Sequence, residues 1–231
     1  MSEENNVSKL INKVQENISD FFENINDYIE LTEAGEIIRR YFVMNAFDGA
    51  LTMLGFVVGV FVSGYIDPKI ILSAGMSASF AMGVSGFVGA LITEKAERER
   101  KVKELEKAMF TELEGSIIEK ASLMAVVLAA LTDSFAPAMA ALICASPFIF
   151  SEIGLLSPIV ATFVSIIITL VLVFLLGMYL GKISGGGALI YGIYMLTAGL
   201  VVSLIVTITS IHFEGVNRIP LVIGDNEWMM K

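Results

Sequence analysis

NAFDGALTMLGFVVGVFVSG, residues 45–64, carries one charged side chain, Asp48. A bilayer core about 30 Å thick needs about 20 consecutive apolar residues to be crossed as helix. The stretch meets that length, and the chain around it repeats the pattern. Apolar blocks at roughly 41–65, 70–93, 121–150, 155–180 and 186–211 are separated by short charged ones. With 55% hydrophobic residues and a mean hydropathy of +0.76, the chain is too apolar for a soluble domain of 231 residues. The expected fold is all-α: a polytopic membrane protein with five transmembrane helices, the second extended into the cytoplasm.

This divides the chain into an acidic amphipathic helical segment at 1–40, transmembrane helices 1–2 at 41–93, and a charged helical extension at 94–120. Transmembrane helices 3–5 at 121–211 and a short tail at 212–231 follow. Five spans place the termini on opposite sides. Twelve Lys and Arg residues fall on the side of residues 1–40, 94–120 and Lys182, against Lys69, Arg218 and Lys231 on the other. That bias makes the N-terminus cytoplasmic and the C-terminus extracytoplasmic. No secretory leader is recognisable in the polar, acidic first 40 residues. The lone Cys144 excludes a disulfide framework, and a single histidine, His212, excludes most zinc chemistry and a His-based proton relay.

Between residues 5 and 30, Val7, Ile11, Val14, Ile18, Phe21, Ile25 and Tyr28 alternate spacings of four and three, a short coiled-coil seam. Its acidic outer face suits a second chain, or the other cytoplasmic helix, better than anionic lipid. Nine acids in residues 1–36 and eight in 94–119 suggest attraction for cations beside a pore. No Pro or Gly interrupts TEKAERERKVKELEKAMFTELEG before Gly115. Pairs Glu94/Arg98, Glu97/Lys101 and Glu99/Lys103 are spaced to support a continuous helix. Glu106, Glu112, Glu114 and Glu119 lie beyond the densest pairing and are the acids best able to serve a ligand.

The third block, 30 residues long, would be about 45 Å of helix, longer than one span needs. Pro137 removes the amide that would bond the Asp133 carbonyl. The block is expected to kink at TDSFAP, or its part before Thr132 to lie at the interface. Glycines 185–187 allow a tight turn between the last two spans, and Gly55 and Gly59 give helix one a small-residue face.

Asp48 lies seven residues, about 10 Å of helix, inside Tyr41. A carboxylate at that depth costs at least a few kcal/mol if unpaired, and such residues usually line a pathway. The bland alternative is a carboxylate satisfied by Thr52 or nearby backbone. Asp133 is open to both readings, as pathway residue or as a membrane-edge residue starting a helix. Met44, Met53, Met76, Met82 and Met109 lie on or near the first two helices. Most membrane methionines fill gaps, yet a thioether also binds soft ions without adding charge. The sequence holds no phosphate loop, no intramembrane His-Glu-x-x-His, no Gly-x-Gly-Asp and no phospholipid-synthase spacing of aspartates. An enzyme is not expected.

FDGALT (47–52), ASFAMGVSGFVGALI (78–92), LICASPFIF (142–150) and the closing hairpin from Leu172 to Ile208, with its Gly-x-x-x-Gly-Lys turn, share order and spacing with a known group. Together they resemble the vacuolar iron transporter family. The resemblance implies a homodimer that exports Fe²⁺ or Mn²⁺ from the cytosol, driven by proton entry. The metal is transported ion, with no tightly bound cofactor and no nucleic-acid partner. Asp48 and Met82 would line the pathway, with Asp133 and Met44 as further candidates. Glu94, Glu97, Glu106, Glu112, Glu114 and Glu119 would gather metal on the cytoplasmic side. The membrane would be the cell membrane of a prokaryote or the vacuolar membrane of a eukaryote. The resemblance departs at Tyr41, Ala74 and Gly86, where the family carries acids, and in the shorter cytoplasmic insert. A membrane scaffold that keeps the fold without transporting is the alternative.

Overall fold

The structure, a computed structural model, describes residue 29 and residues 34–113 and 115–217, the side chains of 213–217 excepted. The heptad positions expected from Val7 to Tyr28, the tail from 218 and Glu114 lie outside the described residues. The rest is five helices with no strand among the described residues: α1 (Ala34–Val62), α2 (Pro68–Met109), α3 (Ile117–Glu152), α4 (Pro158–Ile183) and α5 (Ala188–Asn217).

Each helix is long and apolar enough to cross a bilayer. Their exposed faces say the same. On α4, Phe163, Ile167, Val171 and Leu175 recur every four residues and are all exposed, while Thr162, Ser165 and Thr169 are buried. Water would penalise so large an apolar surface, whereas lipid tails accept it. The protein is an integral membrane protein, polytopic and all-α.

Local chemistry sets the helix ends. α1 stops before Gly64, whose φ of +75° only glycine adopts without strain. Pro68 opens α2, and the Asp67 carboxylate accepts the Lys69 amide at 2.8 Å. α2 then continues 42 residues, about 63 Å, so span and charged extension are one helix. Lys101 pairs with Glu97 at 3.9 Å and Arg98 with Glu94 at 4.0 Å, the expected spacing. Glu99, however, turns back to Lys95 at 3.8 Å rather than forward to Lys103, and Arg100 pairs with Glu104 at 2.9 Å.

The α2–α3 turn is built by two of the acids reserved above for a ligand. Glu106 accepts the Leu113 amide at 2.9 Å. Ser116 caps α3 by accepting the Glu119 amide at 3.2 Å, and the Glu119 carboxylate reaches back to the Gly115 amide at 2.6 Å. α3 runs uninterrupted through Pro137 to Glu152, as one helix of 36 residues.

The described chain forms two compact units. One takes α1 through Ala46 together with Phe80–Ala138; the other takes Phe47–Ser79 and the chain from Met139 onward. In the second unit, glycines set the packing. A Cβ on Gly177 would lie 2.5 Å from the Tyr191 carbonyl oxygen and 2.8 Å from Gly192 Cα, so α4 and α5 touch backbone to backbone. The small face of α1 rests on α5, with the Cβ positions of Gly55 and Gly59 each 3.6 Å from Val206. Gly75 leaves room for the fully buried Met53, and Ser165 donates to the Cys144 carbonyl at 2.6 Å. Lys69 and Glu152 form an ion pair at 3.3 Å.

Candidate functional site

The first unit holds a polar cluster shared by α1, α2 and α3. It begins with Tyr41, whose hydroxyl donates to Glu94 Oε1 at 3.0 Å. Glu94 and Arg98 are both buried and pair one helical turn apart. One turn farther along α1, the Asn45 side-chain amide donates to the Tyr41 carbonyl at 2.9 Å and to the Asp133 carboxylate. Asp133 is buried, 7% exposed. It does not start a helix; it lies inside α3, fastened to α1 through Asn45.

Glycines on α2 let that carboxylate in. A Cβ on Gly86 would lie 2.7 Å from Asp133 Oδ2 and 3.1 Å from its carbonyl oxygen, and one on Gly83 would lie 2.6 Å from the Ser134 carbonyl. Two of the three positions where an acid is absent thus meet one from elsewhere. Gly86 receives the Asp133 carboxylate, and Tyr41 hydrogen-bonds Glu94. A carboxylate on Gly86 itself would collide with Asp133, so the two residue types depend on each other. Sequence reading identified Asp133 and Glu94 singly; it missed Asn45, Tyr41 and Gly86 as their surroundings. The signal available was the i,i+4 spacing of Tyr41 and Asn45 on one α1 face.

The other pathway candidates are placed differently. Asp48 and Met44, also one turn apart, are exposed on α1, Met44 by 50%. Asp48 belongs to the second unit and Met82, half-buried on α2, to the first. On the charged hairpin, Glu97 is exposed and paired with Lys101, and Glu112 is exposed at the turn. Glu106 and Glu119 hold backbone amides, and Glu94 sits in the buried cluster. Among the described residues, no three His, Cys, Asp or Glu side chains converge as a metal-binding group.

Fold and site define a five-helix integral membrane protein with carboxylates inside its spanning helices. No family model matches the chain, and no solved structure matches it. It is 33% identical over 174 residues to Uncharacterized protein MJ0645 of Methanocaldococcus jannaschii, a match covering 74% of this chain and 87% of that one. The chain belongs to the family of that archaeal protein.

Proposed function

We propose that the protein carries a divalent transition metal, Fe²⁺ or Mn²⁺, out of the cytosol in exchange for protons. The observation that carries this reading is Asp48. It is an exposed carboxylate on a membrane-spanning helix. Lipid does not accept a bare carboxylate, so that face of α1 needs water, a cation or protein against it. In the homodimer that the resemblance implies, the pathway would run beside Asp48. A carboxylate neutralises part of the charge that the bilayer excludes, and thioethers from Met44 and Met82 favour Fe²⁺ over Mg²⁺ or Ca²⁺. Met82 and the proton coupling come from the family resemblance. The buried Asp133, held by Asn45, is a further carboxylate at membrane depth for a cation or proton.

A second reading, a non-transporting scaffold, has one observation in its favour. Four of the six acids expected to gather metal are engaged, Glu94 and Glu97 in ion pairs and Glu106 and Glu119 on backbone amides. The test is reconstitution in liposomes with a trapped metal-sensitive dye under an imposed proton gradient, comparing wild type with Asp48→Ala. Saturable Fe²⁺ or Mn²⁺ flux, lost in a variant that still elutes at wild-type size, supports transport. Absence of flux for both ions in well-folded wild type removes the transport reading and leaves the scaffold.

A further inference from the structure

The charged extension of α2 exposes large apolar side chains where acyl chains do not reach. The apolar run of α2 ends at Ile92, and Leu105 and Met109 lie about 20 and 25 Å farther along the same helix, past the bilayer core. Leu105 is 42% exposed, Met109 55%, and Phe110, just past the helix end, 96%. With the half-buried Val102, Leu105 and Met109 form one strip, spaced three and four apart as in a heptad. The strip continues the face of α2 that carries Glu94 and Arg98. Nearer the membrane α1 lies beside that face, and both side chains there are buried. Lipid accounts for the exposed apolar residues of the spans; a strip this far out marks a contact with protein.

The start of α1 shows where the chain before it arrives. Ile29 is helical, and a Cβ on Gly35 would lie 3.4 Å from its Cγ2. A straight helix would hold residues 29 and 35 about 9 Å apart along its axis, so the chain turns between them instead of prolonging α1. Ile29 therefore sits beside the first turn of α1. The hydrogen bond from Tyr41 to Glu94 sets the level of that turn against α2. Ala34 lies about 10 Å before Tyr41, and the same distance along the oppositely running α2 leads from Glu94 to Lys101. The chain entering at Ile29 is thus level with the head of the strip, in the same compact unit.

We propose that the strip is the docking site of this chain's own heptad segment, Val7 to Tyr28. The segment lies antiparallel to the extension of α2, with Tyr28 against Val102, Ile25 against Leu105 and Phe21 against Met109. As helix it spans about 32 Å, enough to run from the level of Val102 past the end of α2. The short link 30–33 makes the contact intramolecular, so a narrow strip holds the segment at a high effective concentration. Glu16, Asp20, Glu23 and Asp27, on the side of the segment away from its seam, stay in water. The contact involves neither Asp48 nor Met82 and does not depend on the metal reading.

The test uses the full chain purified in detergent, with paired cysteines and the buried Cys144 left in place. Ile25→Cys is combined with Leu105→Cys, or with Lys107→Cys on the opposite, exposed side of α2, and each pair is oxidised. Non-reducing gels and the masses of linked peptides identify the products. The Leu105 pair is expected to link within one chain, at a yield severalfold above the Lys107 pair. Leu105→Glu with Met109→Glu, both at exposed positions, should keep the wild-type elution volume and lose hydrogen-exchange protection over residues 10–28. A linked product of two chains' mass gives the strip to a second copy and overturns the proposal. Equal yields from the two pairs, no link from either, or wild-type protection in the double variant overturn it as well.

Discussion

Two aspartates inside membrane helices have opposite surroundings, and each predicts its own mutant. Asp133 is buried and bonded by Asn45 in a space that Gly86 leaves open. Asp133→Ala should cost about 1–3 kcal/mol, and Asp133→Asn, which keeps the shape and a partner for Asn45, distinctly less. Thermal melts in detergent rank the two; equal losses would show that the contact contributes nothing specific. Tyr41→Phe removes only the hydroxyl on Glu94 and should cost about 1 kcal/mol in the same assay. Asp48, by contrast, is exposed, so Asp48→Asn should leave the melt within about 0.5 kcal/mol of wild type. Its effect is expected in metal flux, measured in the liposome assay. Depth in the membrane was legible for Asp48 from its distance to Tyr41, whereas Asp133 stood open between pathway and membrane edge. Which of the two was buried was not legible, because burial depends on the neighbouring helix, and the Gly86 opening lies 47 residues from Asp133 in the chain.

At the scale of elements, helix positions follow directly from composition, while contacts follow from small residues whose partners are remote. Gly177→Val puts a branched side chain where a Cβ alone already lies 2.5 Å from the Tyr191 carbonyl. The α4–α5 contact must open, at about 1–3 kcal/mol or more. Gly89→Ala on α2 meets nothing within 4 Å and should be neutral in the same melt. If both variants behave alike, the close α4–α5 approach is wrong. The continuity of α2 past the membrane was readable from its unbroken run of helix formers and i,i+4 charges. The choice of Lys95 over Lys103 as partner of Glu99 was not, since both lie one turn away on the same helix. The capping roles of Glu106 and Glu119 arise from turn geometry, which the count of unpaired acids did not contain.

For the whole molecule, five spans and the Lys/Arg bias predict termini on opposite sides of the membrane. Single reporter cysteines at Ser2 and Lys231 should therefore react with an impermeant maleimide from opposite faces of sealed vesicles. The native Cys144 is fully buried and should stay unlabelled until the protein is denatured. Labelling of both reporters from one side would overturn the five-span topology.

The sequence by itself determined that this is a membrane protein of five helices, because a span is a local property: about 20 apolar residues in succession, bounded by charge. It also placed Asp48 at membrane depth. Only the tertiary structure decided which carboxylate is enclosed and which acids fasten the α2–α3 turn. Those outcomes depend on backbones brought together by glycines far apart in the chain, and a residue's own segment holds no record of what packs against it.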